Sequence, residues 1–168
     1  MAVTIGFDGA TPGTINNYVE NGFQIDIARI INGQCATDPC LAINTNEITT
    51  LSKIGGGSFT LDSFYFYLAG MPPILTVTPY SGITALTAIT LDTTNYAMNT
   101  GLTYSTPIAN ITSVVFENTG TGNIRVDDIN VSGTPLPGAL TLFATGLGVF
   151  GLLGWRRKRK RAAAIARA

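Results

Sequence analysis

The side chains that most often act as catalytic bases are missing from this 168-residue sequence, which contains no histidine. Histidine-dependent triads and most zinc sites are therefore excluded. Paired carboxylates, as in glycoside hydrolases, are the remaining route to catalysis. Asp127 and Asp128 are neighbours on a predicted strand and so point to opposite faces. Nothing in the sequence brings together two of the glutamates Glu20, Glu47 and Glu117. We expect a non-catalytic protein, with a polysaccharide-acting enzyme as the alternative.

The two cysteines, Cys35 and Cys40, are separated by four residues. In an oxidising compartment a pair this close forms a small disulfide-bonded loop, which contributes roughly 2 kcal/mol of stability. Free thiols are the alternative. A metal site is disfavoured because no third sulfur and no histidine are available. A redox motif is disfavoured because it has two residues between its cysteines, whereas four separate Cys35 and Cys40.

Five tyrosines are candidates for a sugar-stacking platform, because aromatic faces contact sugar C–H groups. They are Tyr65, Tyr67, Tyr80, Tyr96 and Tyr104. Core packing and ordinary sandwich surface are the alternative explanation for the same residues.

The elements that position these residues are predicted to be β-strands, because the body is rich in Thr, Ile, Val, Phe and Tyr and lacks helical Lys/Glu patterns. About eight short strands with turns between them predict an antiparallel β-sandwich or jelly roll. The candidates are 3–7, 22–27, 47–53, 58–68, 75–80, 85–91, 113–118 and 123–131. The last strand is expected to place Ile124, Val126 and Asp128 on one face and Arg125, Asp127 and Ile129 on the other.

The charges are divided unevenly along the chain. Before the Pro135 region there are three basic and ten acidic side chains, a net charge of −7. This balance argues against a nucleic-acid partner. The remaining seven basic residues follow, six of them consecutive at 156–161. Beside an apolar segment they are explained as a cytoplasmic anchor under the positive-inside rule, which places the domain across the membrane.

Residues 131–155 contain no charged side chain. The 20 residues from Leu136 to Trp155 suffice for one transmembrane helix. A buried soluble helix is the alternative, although such a helix normally has a polar face. We therefore divide the chain into a β-sandwich domain at 1–133, a transmembrane segment with its basic cluster at 134–161, and a tail at 162–168.

This C-terminal segment resembles a PEP-CTERM sorting domain, and more closely its VPLPA variant. The resemblance rests on Pro135-Leu136-Pro137, Leu140, Leu142, Thr145-Gly146-Leu147-Gly148, Gly151-Leu152-Leu153-Gly154-Trp155 and Arg156-Arg157. Thr134 stands where the variant has valine. The family implies export from a Gram-negative cell, recognition by an exosortase-type membrane protease, and a link to exopolysaccharide or biofilm production.

The preceding domain resembles the galactose-binding-like jelly rolls often found ahead of this sorting signal. The similar stretches are 5–9, 59–64, 75–80 and 126–129. In those jelly rolls a structural calcium is often held between the first and last strands, where Asp8 and Asp127 or Asp128 stand here. The resemblance therefore implies a Ca²⁺ site at these residues, whose carboxylate oxygens suit this ion. The alternative is that these acids cap turns or face water.

Met1–Asp8 shows no signal-peptide pattern, since a basic start and a long apolar run are both missing. Either a signal peptide precedes Met1 in the natural protein, or the protein is not exported, and the C-terminal segment favours the first. Taken together, we expect an exported surface or extracellular-matrix protein associated with exopolysaccharide. Before processing, its domain lies in the periplasm and its tail in the cytoplasm. Carbohydrate binding is one expected activity, and a permanently anchored periplasmic binding protein is a further alternative.

Overall fold

A computed structural model describes residues 2–70 and 72–133 of the chain. These residues contain thirteen strands, all paired antiparallel. They are β1 Ala2–Ile5, β2 Gly13–Glu20, β3 Phe23–Ile31, β4 Cys40–Ile43, β5 Ile48–Lys53, β6 Phe59–Ala69, β7 Ile74–Ser81, β8 Thr84–Ala85, β9 Ile89–Asp92, β10 Gly101–Tyr104, β11 Ile108–Ile111, β12 Ser113–Asn118 and β13 Asn123–Gly133. Within the same residues, no helix has the length and apolar character needed to cross a membrane.

Two layers of strands face each other, and β3 joins them. In the first layer β6 pairs with β13, and β13 pairs in turn with β4 and β1. In the second layer β5 pairs with β12, and β12 with β7. The start of β3 pairs with β5 and its end with β4, while β2 covers its other edge. The start of β3 therefore belongs to the second layer and its end to the first layer.

The core lies between the layers and is filled by alternate residues of each strand. On β6, Phe64 and Phe66 are fully buried, whereas Tyr65 and Tyr67 point outward and are partly exposed. The Phe64 ring packs edge-on against Phe116 of β12, with 5.5 Å between ring centroids. This contact joins the layers, and the alternation on β6 follows from the two-residue period of a strand.

The expected alternation of β13 is wrong after Asp127. Asp128 has a positive φ of 45°, and the register with β6 shifts between Asp127 and Asn130. Such a β-bulge adds one residue to one strand and moves the following side chains to the other face. As a result Ile129 is buried with Ile124 and Val126, rather than sharing a face with Arg125.

The antiparallel all-β class is confirmed, and all eight expected segments contain strand residues. The expected strand 85–91 is divided into β8 and β9, and β2, β4, β10 and β11 are additional. Strands β4, β10 and β11 have four residues each, too short for a clear period. The transmembrane helix and the sorting motif fall on residues 134–161, outside the described residues.

Candidate ligand-binding face

Six residues from six neighbouring strands form a row across the outside of the first layer. The pairing runs from Gly101 to Tyr67, Arg125, Ala42, Arg29 and Thr14. Residues directly opposite each other on paired strands share one face of a sheet. We call these residues the outer row. Five strand spacings make it roughly 24 Å long, and its middle contains two arginines on either side of a small alanine.

Two of the five candidate tyrosines lie on this face. Tyr67 belongs to the outer row. Tyr65 lies two residues before it, on the same side of β6. The Tyr65 ring lies against Gly101: a Cβ built there would fall 2.5 Å from one ring carbon. A larger residue at this position would therefore displace the Tyr65 ring.

The other three tyrosines are elsewhere. Tyr104 stacks on Phe64 at 5.3 Å, and Tyr96 packs edge-on against Phe66 at 5.1 Å. Both pack against the core. Tyr80 lies on β7 in the second layer. A single platform of five tyrosines is therefore not formed, and core packing accounts for Tyr96 and Tyr104.

The disulfide predicted between Cys35 and Cys40 is present, with 5.6 Å between the Cα atoms. The loop that it closes borders the outer row. The Thr37 N–H donates to Asp127 Oδ2 at 3.0 Å, and the Tyr65 hydroxyl donates to the Gln34 carbonyl at 3.4 Å. Asp127 is completely buried. Burial raises its pKa to about 6, against the opposing effect of the N–H groups of Thr37 and Asp128.

An ion pair lies at the other end of the face. Arg29 Nε donates to the Glu47 carboxylate oxygens at 3.1 and 3.3 Å. Burial acts to raise the pKa of Glu47, but hydrogen bonds from Arg29 and from the Asn44 N–H together hold it below its usual value. The pair lines a cleft of about 260 Å³ together with Thr14, Ile27, Ala42 and Ile48. Ile27 and Ile48 are about half exposed, at 51% and 52%.

Arg125, in the middle of the outer row, has a different environment from Arg29. Its Nη1 donates to the Ile124 carbonyl at 3.0 Å, and its Nε is buried with no hydrogen-bond partner among the described residues. Burial lowers the pKa of the guanidinium. Among residues 2–70 and 72–133 the one ion pair is that of Arg29 and Glu47, so Arg125 has no carboxylate partner there.

Asp8 and Asp128, two of the predicted calcium ligands, lie near each other beside Gly6. One carboxylate oxygen of each is 3.5 Å from the place where a Gly6 Cβ would stand. Asp127 is engaged separately by the disulfide loop. In the described part of the chain, no group of three or more His, Cys, Asp or Glu side chains is placed to hold a metal ion. Calcium binding by Asp8 and Asp128 stays a prediction.

Sequence reasoning missed Arg29, Glu47 and Arg125 as members of this face. A signal was nevertheless present, because they include two of the three basic residues ahead of residue 134. Basic residues are rare in this strongly acidic domain, so Arg29 and Arg125 were candidates for a functional role. Their convergence depends on the pairing of β4 with both β3 and β13, and β4 was not predicted.

No protein-family model matches the chain, and a search of curated proteins finds no match. Solved structures with a similar fold include a xylan-binding domain, CBM22-1, from Paenibacillus barcinonensis, with 12% identity, a TM-score of 0.47, and 79% of this chain and 95% of that chain covered. A family 29 carbohydrate-binding module from Piromyces equi has 10% identity, a TM-score of 0.44, and coverages of 79% and 91%. A family 11 carbohydrate-binding module from Clostridium thermocellum has 15% identity, a TM-score of 0.41, and coverages of 79% and 96%.

Proposed function

We propose that this chain is an exported, non-catalytic protein of the bacterial surface or extracellular matrix that binds polysaccharide on its outer row. Its C-terminal segment, residues 134–161, acts as the sorting signal and holds the protein in the inner membrane with the domain in the periplasm. An exosortase-type membrane protease then removes the segment at the Pro135-Leu136-Pro137 motif. The processed domain reaches the cell surface or the secreted matrix.

The outer row is the observation that carries the binding proposal. Extended glycans need an open surface with an aromatic face and hydrogen-bond donors along it. The partly exposed Tyr67 supplies the ring, and the two arginines supply the donors. Because the residues come from adjacent strands, their backbones are spaced by about 4.8 Å. A chain of sugar units lying across the strands meets one residue of the row after another.

Substitution of Tyr67 tests the binding proposal. We expect the purified full-length protein to bind exopolysaccharide isolated from Gram-negative biofilms, measured by calorimetry. Tyr67→Ala should weaken binding about tenfold, equivalent to 1.4 kcal/mol, and Tyr67→Phe should restore most of it. Tyr80→Ala, in the second layer, is the matched control and should bind normally. Equal binding by Tyr67→Ala and the unmodified protein would rule out the outer row as the site.

Mass spectrometry of secreted and membrane fractions tests the sorting proposal. The secreted protein should end near Pro135-Leu136-Pro137, and peptides from 140–161 should occur in the membrane fraction alone. Replacement of Arg156 and Arg157 by Gln should reduce processing, because the cytoplasmic cations orient the segment. Intact C-terminal peptides in the secreted protein would contradict the proposal.

A further inference from the structure

Within residues 2–70 and 72–133, Arg125 is a cation without an ion-pair partner on the candidate binding face. The carboxylates of Glu47 and Asp127 are already hydrogen-bonded to other groups. Both oxygens of Glu47 accept hydrogen bonds from Arg29. Asp127 is buried and accepts hydrogen bonds from the N–H groups of Thr37 and Asp128. In the described part of the chain, Nη1 of the guanidinium donates to the Ile124 carbonyl. Among the described residues, the cation at the centre of the outer row therefore forms no ion pair.

The position of this charge suits a bound anion. Arg125 is partly exposed. Because its Nε is buried, the terminal Nη groups are the donors that would meet a ligand on the outer face. The planar guanidinium presents its N–H donors as a fork that matches a carboxylate, and charge-assisted hydrogen bonds of this kind are stronger than neutral ones. Repulsion by the other acids of the domain is screened over about 8 Å at physiological salt, so the charges on the face itself dominate.

We propose, on the basis of the polysaccharide binding proposed above, that the polysaccharide is acidic and that Arg125 binds the carboxylate of one of its sugar units. Tyr67 is the register partner of Arg125 on β6. The ring of the same or a neighbouring sugar then rests on Tyr67 while the carboxylate meets the guanidinium. Arg29 contributes less to anion binding because Glu47 neutralises it.

The test compares each acidic polymer with its own carboxyl-reduced form, which keeps the backbone and removes the charge. Polygalacturonate, alginate and hyaluronan are the probes, titrated into the full-length protein by calorimetry at two salt concentrations. For at least one polymer we expect the acidic form to bind at least tenfold more tightly than the reduced form. The preference should decrease as salt is raised.

Three variants test whether Arg125 causes the preference for the acidic polymer. Arg125→Gln should abolish it, and Arg125→Lys should retain part of it, because an ammonium group keeps the charge and loses the fork. Lys53→Gln, on β5 outside the outer row, removes one positive charge and should leave the preference unchanged. Thermal unfolding of each variant verifies that the fold is intact.

Equal binding of acidic and reduced polymers, or a preference that survives in Arg125→Gln, would overturn the acidic-ligand proposal and leave polysaccharide binding standing. Equal loss in Arg125→Gln and Lys53→Gln would also overturn it, because the effect would then depend on net charge alone. Absence of binding to every acidic and neutral polymer would overturn both proposals.

Discussion

The outer row is bordered by two structures of different chemistry. On one side the disulfide-bonded loop is tied to the buried Asp127 and to Tyr65. At the other end Arg29 and Glu47 form an ion pair whose side chains are 43% and 34% exposed. The first border is held by a covalent bond and a buried carboxylate, whereas the second is held by charges that solvent and salt reach. We therefore expect the first border to be the more rigid of the two and the second to depend on ionic strength.

At a fixed pH, the largest effect is expected at the disulfide border. Replacing Cys35 and Cys40 together by Ser should lower the free energy of unfolding by roughly 2 kcal/mol, because a six-residue loop is released in the unfolded chain. Chemical denaturation measures the loss, and hydrogen exchange at the Thr37 amide should become faster. Reduction of the unmodified protein with dithiothreitol is the control and should give a similar loss. An unchanged Thr37 amide would show that Asp127 holds the loop without the disulfide.

The next effect concerns Asp127 itself. Its pKa of about 6 lies above the ordinary value, so between about pH 4 and pH 6 the folded protein retains a proton that the unfolded chain has lost. The free energy of unfolding should therefore decrease as pH rises through this window, by at most 1.4 kcal/mol per pH unit for one proton. Asp127→Asn should remove this contribution. Urea denaturation at several pH values measures it, with Asp62→Asn as the control, and an unaltered pH profile in Asp127→Asn would contradict the assignment.

A smaller effect is expected at the ion-pair border. A double-mutant cycle of Arg29→Met and Glu47→Gln should give a coupling energy of about 0.2–1 kcal/mol, as is usual for exposed pairs. This coupling should decrease when salt is raised from 0.05 to about 1 M, because the charges are screened. Coupling that is large and independent of salt would remove the distinction between the two borders.

The smallest effect is expected from calcium. If Asp8 and Asp128 bind the ion, millimolar CaCl₂ should raise the melting temperature by a degree or two, and EDTA should reverse the change. Asp8→Asn should abolish the response, and Asp38→Asn, which lies in the disulfide loop, should retain it. The absence of any response in the unmodified protein would rule out this site.

Local patterns predicted β6 and the disulfide well, because each depends on neighbouring residues. The alternation of Phe and Tyr in 64–67 determines which side chains face the core, and Cys35 and Cys40 are close along the chain. The outer row was not predictable in this way. It depends on β4, whose four residues are all buried and show no alternation, and on pairing between residues far apart in sequence.

The tyrosines illustrate the same limit. Tyr67 and Tyr104 have identical side chains on paired strands, yet one points outward and the other packs on Phe64. The direction is set by the register between β10 and β6, in which Tyr104 lies opposite the buried Phe64. The β-bulge at Asp128 could likewise not be predicted from the sequence, because an Asp in a strand gives no local indication that its φ will be positive.

Strand β13 also has a mechanical consequence. It carries Arg125 near one end and leads at Gly133 into the segment proposed to tether the protein. It is hydrogen-bonded to β6 on one side and to β4 and β1 on the other. Until that segment is removed, a pull between a ligand on Tyr67 of β6 and the end of β13 at Gly133 would load the hydrogen bonds between β6 and β13 along the strands and all at once, instead of opening them one after another.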